Sequence, residues 1–582
     1  MANKFDFGRF VGVGVGLMTV AACSGEETSD KSAASAAGPK DTLVIALQSD
    51  AKNFLGPLSQ TAADMTIADL FNYNLVDAEF DCAVKYRPML AKSWTFSADG
   101  TGIDMELRDD VTWADGQKVT AEDVAFTWDI VGDPAVASPR ADNVEGMTTD
   151  ARPKVIDATH LHWGFDHAFD RNTMLAHSAD VAVAPKHILA APGVDRASLR
   201  GHPLNATMPL ASGPWKLVNW TKNEKIVFEA NEHFTGPADD VPRLKRVIFK
   251  IIPEYATRLV ELENGSIDLM EQLLVADADK LAATHPEIRL HRRGWRTMDF
   301  VAWNSLDAAD YKVQAVGLPA GKKPDSVKKN NLFGDPAVRR ALTMAIDDDK
   351  LIKDVLTSTT TGEVYGRPSV GNITPALCGI HNDDIKRIPF DPTAAKARFA
   401  ELGWTDTNND GVIDKDGVPF RFTMLTAAGN ARRAKAGIII QANLKDVGID
   451  AQIEPLEMGT FYDRLRKRDY EAALGGWSAS LFVDPRSSWG PDAEFNFSSY
   501  RNPKLDEAMA AAMAEPDMAK SAPIFKQIQQ IIYDDQPYTF LYWMDDIVAV
   551  HQRFQDPTID ILAAYRNLNH WSVPADQVKY AQ

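Results

Sequence analysis

The stretch Gly475-Gly476-Trp477-Ser478-Ala479-Ser480-Leu481-Phe482-Val483-Asp484-Pro485 holds the most suggestive grouping of side chains in this sequence. An indole stacks on a sugar, a ring or a cation, and a serine hydroxyl both donates and accepts hydrogen bonds. Trp477, Ser478 and Ser480 therefore suit holding a small molecule rather than transforming it. The first acid after the tryptophan is Asp484. The competing reading makes Trp477 a core residue and takes any needed acid from Asp484. Catalytic signatures are missing from the sequence: there is no G-x-S-x-G, no H-E-x-x-H and no P-loop, and GLPAGKK at 317–323 fails the P-loop spacing. A surface hydrolase is disfavoured, although a chain with 81 acidic residues always offers some close carboxylate pair. No catalytic residue is assigned.

Two stretches have residue types that could ligate a metal. Asp406 to Asp414 (DTNNDGVID) puts oxygens at calcium-loop positions with glycine in the right place, but Gly417 stands where a bidentate glutamate completes such a loop. A solvated acidic turn is the favoured reading. His160 and His162 alternate on one strand face near His167, which fits a half-exposed strand better than a metal site with no fixed third ligand. Neither a metal nor a cofactor is expected.

The elements that would position these residues are legible in part. Trp94, Phe96, Ile103, Met105 and Leu107 alternate around Ala98-Asp99-Gly100, predicting a hairpin. Thr120 with Asp123 predicts a capped helix carrying Val124, Trp128 and Val131. Asp335-Pro336, Asp391-Pro392 and Asn502-Pro503 each set a side-chain oxygen at an N-cap and a proline at N1, and the first of these helices keeps apolar spacing to Ile346. A further helix from about Ala431 stops at Gly448 and feeds a strand from Ile449 to Ile453. Helix, glycine, strand in succession points to layered α/β packing.

At 582 residues the chain predicts two or three domains, and its formal charge of −19 favours solubility and disfavours nucleic acid. Lys4 and Arg9 precede the apolar run Val11 to Val20 and then Ala21-Ala22-Cys23, which has the form of an export signal over residues 1–22. VAAC resembles a bacterial lipobox, implying a lipid on Cys23. Residues 23–40 are small and polar and read as a tether. Of the remaining cysteines, Cys82 and Cys378, export permits pairing, yet neither position is clearly buried, so the pairing stays open.

Ordered blocks across nearly the whole mature chain resemble the bacterial extracellular solute-binding proteins of the peptide/nickel class. They include DGTGIDMELRDDVTWADGQKVTAEDVAFTW (99–128), LASGPWKLVNW (210–220), ENGSIDLM (263–270), DPAVRRALTMAID (335–347), RDYEAALGGW (468–477) and FNFSSYRNPKLDEAM (495–509). The resemblance implies a type II periplasmic-binding-protein-like α/β fold in which two lobes close on a ligand. Domain I would comprise 41–80, 206–298 and 541–582, domain II 81–205, and domain III 299–540. It implies capture of a peptide or peptide-like ligand outside the cytoplasm by a non-enzymatic, monomeric lipoprotein that serves an ABC permease. A sensory or ligand-presenting role for an oligosaccharide, opine or metal chelate is the alternative. In peptide-binding relatives an aspartate three residues beyond the tryptophan holds the peptide ammonium; here that position is Ser480. The same matching lays Gln60, Thr61 and Ala62 on a ligand-facing loop and Met458 and Tyr542 on the lining, and leaves Arg433 among several arginines that could meet a carboxylate.

Overall fold

The computed structural model describes residues 41–59, 62–144, 146–148, 153–179, 181–207, 212–305, 330–478, 480–481, 483–491, 493 and 495–580. Cys23, the signal, the tether, Gln60 and Thr61 lie outside the described residues.

Thr42–Leu47 is buried along its whole length and pairs in parallel with Arg246–Ile251 and Leu269–Met270, as a near-continuous apolar strand covered on both faces should. It lies inside one large sheet. The order runs Asp450–Leu456, Arg421–Ala427, Ala472–Ser478, Ile288–Trp303, Tyr538–His551, Leu269–Met270, Thr42–Leu47, Arg246–Ile251, Lys225–Ala230, Trp215–Thr221.

Two strands of that sheet are unusually long. Ile288–Trp303 has 16 residues and Tyr538–His551 has 14, and they pair antiparallel from Ile288↔His551 to Ala302↔Tyr538. At one end Ile288, Ile547 and Ala549 pack with Val44 and Leu281, while Val548 and Val550 pack with Leu43, Ile45 and Phe249. At the other end Met298, Phe300, Tyr538 and Phe540 join a core with Leu505, Ile528 and Ile532, and Val301, Trp303 and Leu541 join one with Leu342, Phe399 and Ile440. The pair therefore runs out of one apolar body and into a second. Between them the register slips between Arg293 and Thr297, and Trp295 sits at φ 55°. Such a bulge breaks the ladder locally and lets the strands bend there.

The second body carries the capped helices. Asp335 accepts from Ala337 N ahead of Pro336–Met344, Asp391 from Ala394 N ahead of Pro392–Glu401, and Asn502 from Lys504 N ahead of Pro503–Ala514. The first ends at Met344 rather than Ile346, because Asp347 already caps the next helix, Asp348–Leu356. Gly403 and Gly448 hold φ of 86° and 84° after their helices, a conformation that favours glycine. In the first body, Ala91–Phe96, Gly102–Leu107 and His160–Gly164 form a sheet against Ala121–Val131, whose Thr120–Asp123 capping box is complete. His162 faces Asp104 and His160 faces Asp157, and the Asp406 carboxylate accepts from the amides of Asp410 and Gly411 within its own loop.

One hairpin stands apart. Among the described residues Val76–Phe80 and Val84–Pro88 pair only with each other. Val76 and Tyr86 join the first body's core, whereas Phe80 packs on the second body's. At its tip Cys82 is disulfide-bonded to Cys378, with Cα atoms 5.2 Å apart across 296 residues of sequence. The pairing left open by the sequence is thus made.

Candidate functional site

Trp477 lies near the end of the strand Ala472–Ser478, opposite Met298. It is half-buried in a cage of rings. Phe497 stacks on it at 5.2 Å and 19°, Phe495 meets it edge-on at 5.5 Å, and Tyr462 and Phe300 lie 6.3 and 6.5 Å away. Aromatic neighbours at such distances hold an indole plane in a fixed attitude. Beyond it Ser478 and Ser480 are exposed. Asp484 is held by Arg486, at 3.0 Å from Nε and 2.6 Å from Nη2, so this acid carries its own counter-charge.

The two glycines before the tryptophan answer to what lies behind the strand. A Cβ on Gly476 would collide with Asp299 Oδ1, Arg433 Nη2 and the Met298 carbonyl. Asp299 has no exposed surface, and it sits among the apolar neighbours of the crossing strand. Its carboxylate accepts from Arg432 Nε at 3.0 Å, Arg433 Nε at 3.0 Å and the Tyr542 hydroxyl at 3.0 Å. Burial alone would raise this carboxyl, but the two guanidinium charges outweigh it and hold the pKa at about 2. The helix Ala431–Asp446 delivers both arginines in its first turn, and Asn430 caps that turn by accepting from Arg433 N.

A second charged group sits at the bulge. Arg293 reaches Glu271 at 3.3 Å and Asp546 at 3.1 Å, and Gln272 N donates to Asp546 at 2.9 Å. Two carboxylates thus share one guanidinium. Burial, the neighbouring Asp546 charge adding to it, pushes Glu271 up to about 7 against the pull of Arg293, although 24% of its side chain stays accessible. Burial likewise raises Asp546.

The expected site residues separate into groups. Trp477, Ser478, Ser480 and Asp484 lie along one turn, and Met458, half-buried at the start of Met458–Arg466, packs on the same core as Trp477. Tyr542 and Arg433 do not join them as open groups. Tyr542 is fully buried with its hydroxyl on Asp299, and Arg433, 8% exposed, meets that internal carboxylate. Ala62 opens the helix Ala62–Phe71. A cavity of about 370 Å³ is bordered by His167 of the first body and by Arg486, Asp506, Met509 and Met513 of the second, and Trp477 is not among its lining residues. Sequence reasoning missed Asp299, Arg432, Glu271 and Arg293. The available signal was an acid inside an apolar strand, Met298-Asp299-Phe300-Val301, since such an acid needs a buried partner.

The geometry has close counterparts. The profile of bacterial extracellular solute-binding proteins, family 5 Middle, matches residues 85–498. The oligopeptide-binding protein AppA of Bacillus subtilis is 28% identical over 546 residues, spanning 92% of this chain and 93% of that protein. The nickel-binding periplasmic protein of Escherichia coli is 25% identical over 488 residues, spanning 81% of this chain and 84% of that one. The structure of B. subtilis AppA in complex with a nonapeptide superimposes with a TM-score of 0.76 at 25% identity, over 92% of this chain and all of that chain. NikZ of Campylobacter jejuni in complex with Ni(L-His) gives 0.74 at 23% identity, over 92% of this chain, which bears on the fold alone. Two bodies joined by paired strands are thus the two lobes of a type II binding fold, and with a match over most of its length the chain belongs to the family 5 bacterial extracellular solute-binding proteins of ABC transporters.

Proposed function

We propose that this protein captures a peptide or peptide-like ligand between its two lobes and delivers it to an ABC permease, held at the outer face of a membrane by a lipid on Cys23. Domain I is taken as 41–80, 206–298 and 541–582, domain II as 81–205 and domain III as 299–540. The relatives named for oligopeptide, dipeptide, nickel and glutathione binding frame the ligand class. Closure would follow from differential affinity: a guest touching both lobes favours the arrangement in which it loses most water.

The observation that carries the selectivity is the turn after Trp477. Its exposed hydroxyls, Ser478 and Ser480, follow a caged indole, and its nearest acid, Asp484, is already paired with Arg486. A free α-ammonium would find no uncommitted carboxylate among these described residues. The guest therefore has a blocked, decorated or otherwise uncharged end in that subsite. Gln60, Thr61 and Ala62 would face it from the first lobe, with Met458 beside the indole.

Native mass spectrometry of protein purified without added ligand identifies what it carries. A co-purified peptide with a modified amino end supports the reading; a sugar or a metal chelate transfers support to a non-peptide binder. Ser480→Asp should tighten binding of a free-ended penta-alanine peptide, read by calorimetry. Unchanged or weaker binding would refute the placement of the ammonium subsite at residue 480.

A further inference from the structure

The disulfide joins the two lobes. Cys82 belongs to a hairpin whose base is fastened to the first lobe by Val76 and Tyr86 in its core and by Asn172 Nδ2 donating to the Val84 carbonyl at 3.1 Å. Cys378 belongs to a loop fastened to the second lobe, with Ile373, Leu377 and Ile380 buried in its core, and the Thr374 hydroxyl donates to the Trp295 carbonyl at the bulge. Between these anchors Val84, Leu481 and Ile561 form a small buried contact with Phe80 and Ala376 packed around it. Leu481 follows Ser480 directly, so the hairpin rests on the tryptophan turn itself. Both cysteines are exposed, which leaves the bond open to a thiol reagent.

We propose that Cys82–Cys378 is a redox clasp on the ligand mouth: oxidised, it holds the hairpin against the tryptophan turn and slows exchange of the guest; reduced, it lets the lobes part at the Arg293–Thr297 bulge. The geometry favours it. A lobe that swings about the crossing strands must carry Cys378 away from Cys82, and the bond allows a Cα separation near the 5.2 Å observed. The chemistry balances with a dithiol reductant. One thiolate attacks a clasp sulfur and forms a mixed disulfide; the second thiol displaces the protein sulfur, leaving two cysteine thiols and an oxidised reductant, two electrons and two protons having been transferred. The device rests on the binder reading for its purpose but not for its detection.

The test compares wild type with Cys82→Ser and Cys378→Ser, each with and without dithiothreitol. Hydrogen exchange over residues 76–88 and 373–380 reports the clasp without any ligand, and stopped-flow release of N-acetylated penta-alanine, followed by tryptophan fluorescence, reports the gate. Reduction should speed both about tenfold in wild type, within the usual range of coupling between sites. Both serine variants should already show the fast rates and ignore the reductant. Alkylation of two thiols in unreduced protein, or identical exchange before and after reduction, would overturn the proposal. Equal peptide release beside a large exchange difference would refute the gate. If the peptide fails to bind in either state while exchange still responds, the peptide reading falls and the clasp stands. Reduction of wild type in place covers the case in which a serine variant does not fold.

Discussion

Asp299→Asn is the sharpest perturbation of the structure behind the tryptophan turn. The substitution keeps the shape of the side chain and removes its charge, leaving Arg432 and Arg433 buried against a neutral amide. An aspartate near 3.8 when free and held at about 2 when folded contributes about 2 kcal/mol at neutral pH. Leaving the guanidinium charges without their counter-ion brings the total towards the roughly 3–5 kcal/mol typical of a broken buried pair. The sign follows from the direction: a folded value below the unfolded one gives stability that is present above about pH 4 and lost as pH falls towards 2. Urea unfolding of both proteins between pH 7 and pH 2.5, with equal m-values required, isolates the term because other acids cancel in the difference. The gap between wild type and variant should shrink by about 1.5 kcal/mol across that window, the rest being lost only below pH 2.5. A gap that stays constant with pH would refute the assignment of a low pKa to Asp299, and no gap at pH 7 would refute the importance of the cluster.

Gly476→Ala should cost about 2–4 kcal/mol, because its methyl group must displace Asp299, Arg433 or the Met298 carbonyl, while Gly475→Ala, whose Cβ would stand 3.4 Å from the Phe300 ring, should cost less; thermal melts of the pair check the order. Glu271 is raised to about 7, so its contribution is full below pH 4.5 and fades as pH climbs through 7; Glu271→Gln should abolish that slope, and carboxyl chemical shifts titrating near 4.5 in wild type would contradict it. Arg553 is 4% exposed and pairs with the buried carboxylates of Asp41 and Asp268; Arg553→Met should destabilise the first lobe by about 3–5 kcal/mol, seen as an early transition in calorimetry while the second lobe melts unchanged.

What the sequence made legible was what is decided locally. Asp335, Asp391 and Asn502 announce their helices because the cap oxygen and the amide it serves lie within a few residues. Thr120 with Asp123 and the stops at Gly403 and Gly448 are of the same kind. The site depends on contacts between distant segments. Nothing near Cys82 indicates Cys378, and nothing near Asp299 indicates Arg432, Arg433 and Tyr542, which reach it from other elements. The family resemblance lays Tyr542 on the lining and leaves Arg433 among several arginines that could meet a carboxylate; in the structure the carboxylate both meet is Asp299, since a buried ion without hydrogen-bond partners is the costlier arrangement. Nor does the sequence around Gly475-Gly476 show that Gly476 is there to leave room for an ion pair.

The crossing strands also bear on how the molecule is assembled. The chain enters the second lobe along Ile288–Trp303 and leaves it along Tyr538–His551, the two strands side by side and Trp303 N donating to the Pro537 carbonyl at 3.2 Å. Everything between them behaves as an insert whose two ends already touch, so joining those ends directly asks little of the remaining chain. Excised at the bulge and closed with a short linker, the outer portion would retain its own apolar interior, and the insert could be grown, swapped or evolved as a cassette.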